Sequence, residues 1–383
     1  MINITDKHYC CGCSACAQSC PKQCIRMRED EEGFLYPTVD AAECIDCGLC
    51  EKVCPFINNS DERKPQSVEV AINPDLNTRL ASSSGGVFSL LAEHIIQKGG
   101  VVFGARFDSQ WRVIHDYTDT IDGLAAFRGS KYVQSEIGSS YKDAKRFLDE
   151  GRTVMFTGTP CQINALKRYL KKEYKNLYTV DIVCHGVPSP TIWSDYLRFI
   201  NPNCEDIQAI NLRDKSRSWS KYSYRIDTKK APLYDDYAAN SEYLRMYING
   251  FSVRPSCFNC PVKGGRSQSD ITLADAWGIK EVFPDLDDEK GASVVCLNSE
   301  AGTDLYNAIS KESRPFPAEV FYNANPSFHT SAKESKYRPL FWELYQEKGI
   351  AAYKDIKEKM KQPLYKRLVH KALNLFKNEK SHQ

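Results

Sequence analysis

The pattern of hydrophobic and polar positions changes along the chain and divides it into four parts. Residues 1–57 contain short apolar stretches between clustered cysteines, whereas 58–67 are polar, charged and interrupted by a proline, as in a linker. Residues 68–350 alternate apolar runs with amphipathic stretches, and 351–383 form a basic amphipathic tail. The pattern therefore predicts a small module, a linker, a large domain and a tail.

The large domain is predicted to contain alternating strands and helices. Apolar residues at helical spacing predict helices over 82–100, 138–151 and 161–172. Short apolar runs predict strands at 68–72, 101–107, 111–117, 153–157, 177–184, 207–213, 222–227, 270–277 and 292–297. Such alternation is typical of a mainly parallel or mixed sheet covered by helices, so the predicted fold class is α/β. Ligands of such sheets collect at the carboxyl ends of the strands.

The overall composition excludes several classes of protein. The chain has 383 residues, of which 42% are hydrophobic and 26% charged, as in ordinary soluble globular proteins. Its formal net charge of +2 gives no sign of the basic face that nucleic-acid binding needs. No apolar run reaches the roughly 18–20 residues that span a bilayer, and the first residues lack the apolar region of a secretory signal. We therefore expect a cytoplasmic protein.

Sixteen cysteines are a large number for such a protein, and clustered thiols in a reducing compartment usually bind metal. Residues 10–21 and 44–55 each contain C-x2-C-x2-C-x3-C-P, the spacing of bacterial two-cluster ferredoxins, in which the fourth cysteine binds the other cluster. One [4Fe-4S] cluster is thus predicted on Cys10, Cys13, Cys16 and Cys54, and another on Cys44, Cys47, Cys50 and Cys20. A pair of zinc knuckles is the alternative that this repeated spacing disfavours. An α+β ferredoxin-like module over 1–57 would pass single electrons to an internal cofactor.

Four further cysteines lie in suggestive positions of the large domain. Cys161 and Cys184 each follow a predicted strand, and Cys257 and Cys260 form a C-x-x-C pair. Cys161 also begins a helix, so we expect its thiol to have a lowered pKa. Spacing alone leaves open a third [4Fe-4S] cluster, a structural zinc ion, or a dithiol with two unrelated cysteines. The remaining cysteines are interpreted as incidental: Cys11, Cys24, Cys204 and Cys296.

Several stretches together resemble the coenzyme F-420 hydrogenase/dehydrogenase beta-subunit family. They are SSSGGVFSLLAEHIIQKG, GSKYVQS, GTPCQINALK, VCHGVPSP and CFNCPVKGGRSQSDITLADAWGI, in this order. The resemblance implies an iron–sulfur flavoprotein with FAD beside a cluster in the α/β domain, and it favours the third cluster. Family members use deazaflavin coenzyme F-420, chlorophyll derivatives or other acceptors, and similar bacterial chains accompany polysaccharide synthesis. The family therefore does not fix the substrate.

With this resemblance, the predicted FAD contacts are Ser83, Ser84, Gly85, Gly86, Lys131, Tyr132, Gly158 and Thr159. The serine–glycine run offers amides and hydroxyls at a positive helix end, which suit a pyrophosphate, although an ordinary serine N-cap explains it equally well. Lys131 is placed near the pyrimidine edge of the flavin, with a solvated loop lysine as the alternative. No Rossmann or P-loop motif is present. His185 is a candidate proton donor to the substrate. The alternative is that His185 is a loop histidine without that role.

The predicted function is electron transfer from a ferredoxin-type donor through clusters and FAD to an organic substrate, with coenzyme F-420 or a polysaccharide-pathway metabolite as candidates. The alternatives are a non-catalytic electron-transfer subunit and a thiol reductase that uses Cys257 and Cys260. In the tail, residues 363–380 have an apolar helical stripe flanked by lysine and arginine. That stripe is compatible with contact to the inner membrane surface, to a partner, or to its own domain.

Overall fold

A computed structural model describes residues 1–203 and 205–360. The strands are β1 (Ile25–Glu29), β2 (Leu35–Val39), β3 (Ser67–Ile72), β4 (Val101–Phe107), β5 (Val113–Thr118), β6 (Val154–Gly158), β7 (Leu177–Ile182), β8 (Ile207–Asp214), β9 (Ser223–Thr228), β10 (Pro232–Tyr237), β11 (Ile271–Asp275), β12 (Ser293–Leu297) and β13 (Glu312–Pro315). The helices are α1 (Ala15–Ser19), α2 (Leu49–Lys52), α3 (Leu76–Ala81), α4 (Val87–Gln97), α5 (Ser140–Asp149), α6 (Pro160–Leu170), α7 (Pro190–Ile200), α8 (Glu242–Ile248), α9 (Ile279–Val282), α10 (Glu300–Asn307), α11 (Ala318–Ala324), α12 (Arg338–Lys348) and α13 (Ala352–Met360).

The large domain is built on an eight-stranded mixed sheet with the order β13-β3-β12-β11-β7-β6-β4-β5. Its centre, β11-β7-β6-β4, is parallel, and the strands on both sides pair antiparallel. Val154, Met155 and Phe156 of β6 are all fully buried, because helices cover both faces of the central strands. This architecture confirms the predicted α/β fold class. No helix of the described residues combines the length and apolarity needed to cross a bilayer.

A second core lies beside this sheet and includes a separate antiparallel sheet of β10-β9-β8. Trp193 of α7, Tyr243 of α8, Phe341 of α12 and Ile356 of α13 all pack into it. Because α13 is part of this core, the start of the predicted tail, 351–360, belongs to the body of the protein, which corrects the boundary at residue 350. The predicted amphipathic helix of the tail lies outside the described residues.

The N-terminal module is formed by the β1–β2 hairpin, α1 and α2, and it packs directly on the large domain. The two strands of the hairpin pair antiparallel, from Ile25 opposite Val39 to Glu29 opposite Leu35. The Glu32 carboxylate is buried and accepts a hydrogen bond from Arg338 Nη1 at 2.8 Å. A Cβ at Gly33 would lie 2.0 Å from Thr191 Oγ1, so the two units touch without room for a side chain there.

The segment 58–67 is also bound to the large domain along its length. Asn164 Nδ2 donates to Ser60 Oγ at 3.1 Å, and Gln268 Nε2 donates to the carbonyl of Asp61 at 2.8 Å. The backbone nitrogen of Arg63 donates to the carbonyl of Gly264 at 3.1 Å. The polar composition that predicted a linker therefore serves contacts with the surface of the domain.

Asp181 is a buried carboxylate of β7, and it makes stability depend on pH. Its Oδ1 accepts a hydrogen bond from Ser269 Oγ at 2.9 Å, but burial raises its pKa to about 6. Because this folded pKa exceeds the unfolded value, the stability that protonated Asp181 contributes is lost as the pH rises through about 6. Relative to the wild type at the same pH, we expect Asp181→Asn to be more stabilising at pH 8 than at pH 5, by on the order of 1–2 kcal/mol. Thermal unfolding under anaerobic conditions measures this, and equal effects at both pH values would contradict it.

Candidate metal centres and the adjoining cleft

The predicted ligands of one N-terminal cluster come together where α1 meets α2, and we call them the first thiol group: Cys10, Cys13, Cys16 and Cys54. Burial raises the pKa of Cys16 to about 12, and the Cys10 and Cys54 thiols raise it further. Cys13 in turn interacts with Cys16 and Cys10. Cys54, which is distant in sequence, thus lies with the three cysteines of the first repeat, as the exchange of fourth ligands requires.

The predicted ligands of the other N-terminal cluster line one small cavity, and we call them the second thiol group: Cys20, Cys44, Cys47 and Cys50. Gly48 lies in this wall with a φ of +70°, which lets the backbone turn closely around the site. Cys47 is exposed, so this group reaches the protein surface. Cys24, which the sequence analysis treated as incidental, also lines the cavity, with its Sγ 3.4 Å from Cys20 Sγ.

The third thiol group combines three distant segments of the large domain: Cys161, Cys184, Cys257 and Cys260. Cys161 is the second residue of α6, and Cys184 follows β7. Cys257 lies within a turn of 3-10 helix over Pro255–Asn259, and Cys260 directly follows that turn. Burial raises the pKa of Cys184 to about 12, with further contributions from Cys161 and Cys260. Cys257 interacts with all three other members of the group. The structure therefore brings together four thiols that the sequence scatters over a hundred residues.

Cys11 connects the first and third thiol groups. It is buried, and its thiol is hydrogen-bonded to those of Cys13 and Cys161. The hydrogen bond with Cys11, followed by burial, raises the pKa of Cys161, so the expected lowering by the α6 N-terminus is wrong for the free thiol. The sequence analysis treated Cys11 as incidental, because its contact with Cys161 arises only when the N-terminal module packs on the large domain. Cys296 is buried in β12, and Cys204 lies outside the described residues.

A cleft of about 480 Å³ opens at the carboxyl ends of β6, β7 and β11. Most of the predicted FAD contacts line it: Ser83, Ser84, Gly86, Lys131, Tyr132, Gly158 and Thr159. Cys184 and His185 form part of the same wall, so the cleft adjoins the third thiol group. Gly85 is the exception among the predicted contacts. It faces the sheet, where an added Cβ would lie 2.5 Å from the carbonyl oxygen of Ala71.

The serine loop and the N-terminus of α4 line the cleft, through residues that include Gly86 and Val87. The N-cap of α4 is Gly86, which supplies no side-chain cap, so the alternative of an ordinary serine N-cap is wrong. Ser84 Oγ instead donates to the carbonyl of Ala292 at 2.5 Å. Lys215, which sequence reasoning missed, is buried behind the loop, and its Nζ donates to the carbonyl of Ser84 at 2.7 Å.

Lys131 and His185 both lie on the cleft wall, and burial lowers the pKa of each side chain. Lys131 Nζ donates to the carbonyls of Ala126 and Arg128, each at 2.8 Å, and burial lowers its pKa to about 7. Lys131 is therefore held by the backbone and is not a freely solvated loop residue. Burial also lowers the pKa of His185, which favours the neutral imidazole. Its ring packs edge-on against Tyr247 at 5.4 Å between centroids.

Arg213 of β8 is a further cleft residue that sequence reasoning missed. It is only 7% exposed, and its Nη1 donates to Asp275 Oδ2 at 2.6 Å. Its buried Nε and Nη2 have no hydrogen-bond partner among the described residues, which is costly unless a ligand supplies an acceptor. The guanidinium lies 5.3 Å from the ring of Trp277, which itself stacks on Trp219. A ligand that places a hydrogen-bond acceptor beside the Trp277 ring would satisfy Nε and Nη2 of Arg213.

Comparison with known proteins identifies both parts of the chain. The family model for the C terminus of the coenzyme F420 hydrogenase/dehydrogenase beta subunit matches residues 151–315, and a 4Fe-4S dicluster domain matches residues 9–58. The coenzyme F420-dependent sulfite reductase of Methanocaldococcus jannaschii is 22% identical over 329 residues, which are 80% of this chain and 47% of that protein. The 7Fe ferredoxin of Hydrogenibacillus schlegelii is 45% identical over 42 residues, 11% of this chain and 47% of that protein. The chain thus spans about half the length of these curated relatives.

Among solved structures, a chain of the F420-reducing [NiFe] hydrogenase complex from Methanosarcina barkeri is 16% identical. The alignment has a TM-score of 0.45 and covers 78% of this chain and 93% of that chain. The two family matches fall on the segments that hold the three thiol groups. The protein is an iron–sulfur redox protein related to known oxidoreductases. The resemblance seen in the sequence is confirmed: residues 151–315 match the C-terminal region of the coenzyme F420 hydrogenase/dehydrogenase beta subunit, and a 4Fe-4S dicluster domain precedes that region.

Proposed function

We propose that this protein is an FAD-dependent oxidoreductase with three [4Fe-4S] clusters, one on each thiol group. A ferredoxin-type donor reduces the N-terminal pair, and electrons then pass through the third cluster towards an organic substrate in the cleft. The observation that carries this proposal is the convergence of the third thiol group on the wall of a cleft large enough for a cofactor.

The sequence spacing of the N-terminal thiols supports clusters over single zinc ions, because the two C-x2-C-x2-C-x3-C-P repeats have the spacing of two-cluster ferredoxins. The 4Fe-4S dicluster domain that matches residues 9–58 supports the same assignment. The described cysteines are all free thiols, a state that cluster ligands and a reduced dithiol share, so the iron content has to distinguish the two.

The positions of the first and second thiol groups support an approach of the electron-donating protein at the second group. The second thiol group reaches the surface at Cys47, and Ile45 beside it is 58% exposed. The first group is more deeply buried and touches the third through Cys11. A donor protein would therefore meet the second cluster, and the first cluster would lie on the way to the large domain.

The cleft has the features that FAD needs. The first amides of α4 with Ser83 and Ser84 would hold the pyrophosphate, because a helix N-terminus carries a partial positive charge. The free donors of Arg213 would meet an oxygen of the cofactor or substrate. When bound, FAD accepts electrons singly and releases them as a pair, which suits a junction between clusters and an organic molecule.

His185 stays the candidate for proton movement at this site. Its Nδ1 lies 3.5 Å from Ser327 Oγ, and the neutral ring is exposed to the cleft beside Cys184. Nε2 would then be the atom that donates or accepts a proton at the substrate. We propose coenzyme F-420 or a metabolite of polysaccharide synthesis as the substrate, the former because a relative is named as F420-dependent.

The test is anaerobic purification followed by assays of iron, sulfide, zinc and flavin. We expect about twelve iron and twelve sulfide atoms and about one FAD per chain, because each cubane supplies four of each. Reduced coenzyme F-420 should bleach the flavin absorbance of the purified protein if it is a substrate. Zinc in place of iron would contradict the proposal. A protein with full iron, no flavin and a stable complex with a partner oxidoreductase would indicate the non-catalytic subunit instead.

A further inference from the structure

Arg254 is a fully buried cation at the interface between the N-terminal module and the large domain. Its side chain is 0% exposed. Nε donates to the carbonyl of Cys10 at 2.7 Å, and Nη2 donates to the carbonyl of Leu35 at 2.9 Å. Nη1 donates to Gln134 Oε1 at 3.0 Å, and Gln134 Nε2 donates to the carbonyl of Cys11 at 2.9 Å. One side chain of the large domain thus binds the backbone around the first thiol group.

The guanidinium also faces sulfur. Nη2 of Arg254 lies 3.8 Å from Cys10 Sγ, and the thiols of Cys10, Cys11 and Cys257 all interact with its charge. The backbone carbonyl of Arg254 accepts a hydrogen bond from Cys257 N at 2.9 Å, so the residue is built into the loop of the third group. Gly12 leaves room for the guanidinium, because a Cβ there would lie 2.7 Å from Nη1.

The charge of Arg254 has no carboxylate partner within the part of the chain that the structure describes. Its side-chain contacts there are carbonyls, the Gln134 amide, sulfur and the rings of Phe34 and Tyr36. A buried cation without a counter-ion is expensive. A [4Fe-4S] cluster on four thiolates carries a net negative charge that increases on reduction, so it would supply the missing partner.

We propose that Arg254 raises the reduction potential of the cluster on the first thiol group and thereby keeps the incoming electron next to the large domain. A cation and an N–H donor beside a ligating sulfur stabilise the reduced form, which carries more negative charge. The cluster on the second thiol group has no such contact with Arg254 among the described residues, so the two N-terminal clusters should differ in potential. Arg254 acts through the cluster and is a positioning residue. The inference rests on the proposed clusters.

The test is a redox titration of the iron-loaded protein, followed by low-temperature EPR, for the wild type and Arg254→Gln. We expect the equilibrium constant for reducing one N-terminal cluster to fall at least tenfold, which lowers its midpoint potential by about 59 mV. The other N-terminal cluster should keep its potential. Unchanged potentials in a fully loaded variant would overturn the inference, whereas an absence of iron in the wild type would instead overturn the proposed clusters.

The matched control is the double variant Glu32→Gln/Arg338→Gln. This pair is also buried between the module and the large domain, but Arg338 donates to a carboxylate and a carbonyl rather than to sulfur. We expect the control to keep both potentials. An equal fall in both variants would show that docking alone sets the potential, and it would overturn the inference.

If Arg254→Gln does not retain iron, Arg254→Lys provides the measurement. Lysine keeps the charge but cannot hold Cys10, Leu35 and Gln134 together with the sulfur contact. We expect the lysine variant to load its clusters and to show a lowered midpoint potential for the same cluster. A wild-type potential in that variant would assign the effect to the positive charge at this position, and a potential above that of the wild type would overturn the inference.

Discussion

Replacing Cys257 by alanine is expected to remove about four iron and four sulfide atoms per chain while the two N-terminal clusters remain. Cys257 interacts with every other member of the third thiol group, so its loss leaves a cubane with three ligands in a buried site. The N-terminal ligands lie in a separate module, and their spacing is unaffected. Iron and sulfide assays with EPR of the reduced protein measure the change.

Cys296→Ala is the matched control, because it removes another buried thiol that lies within β12 rather than in a thiol group. We expect the control to lose some stability and to keep its iron. An unchanged iron content in Cys257→Ala would refute the third cluster. Equal loss of iron in both variants would show that folding, rather than coordination, explains the effect.

Replacing Gly85 by alanine is expected to weaken FAD binding at least tenfold without loss of iron. The added Cβ would lie 2.5 Å from the carbonyl oxygen of Ala71 and 2.6 Å from the backbone nitrogen of Ser293. Both atoms belong to paired strands, β3 and β12, which cannot move easily. The loop 82–86 must therefore shift, and it carries Ser83, Ser84 and Gly86 with it. The FAD content of the purified protein and fluorescence titration of the flavin-free form measure the effect.

Gly99→Ala serves as the control for this change. Gly99 has a φ of +77° but open space around its Cβ position, so alanine there carries a backbone cost of about 1–2 kcal/mol without a collision. We expect this variant to be less stable and to bind FAD as the wild type does. Wild-type affinity in Gly85→Ala would contradict the assignment of the serine loop to the cofactor.

The sequence was informative where the chemistry of a cluster fixes the spacing of its cysteine ligands along the chain. Runs of three cysteines followed by a fourth and a proline are dictated by the shape of a cubane, so the first and second thiol groups could be proposed without coordinates. Cys161 and Cys184 could be placed together because parallel strands end at one edge of a sheet. The α/β class followed from alternating apolar patterns, with strand and helix ends differing by a few residues.

The sequence was uninformative where a role depends on docking or on a single side chain. Cys11 touches Cys161 only because the module packs on the large domain, and no local pattern encodes that contact. Arg213 stands in a charged stretch with Lys215 and Arg217, and Arg254 is a single basic residue before a proline, so nothing in the sequence indicated that either guanidinium is buried. Gly85 belongs to the predicted loop, but its direction towards the sheet depends on the register of β3 and β12.

The attachment of residues 58–67 to the large domain has a consequence for how electrons travel. Ser60, Asp61 and Arg63 are each hydrogen-bonded to the surface of the domain, and the buried pair of Glu32 and Arg338 fixes the module on its other side. The module is therefore not a carrier on a flexible tether that must swing between donor and acceptor. Under the proposed function, electron transfer inside the protein would proceed at fixed separations, and only the encounter with the proposed donor would depend on diffusion.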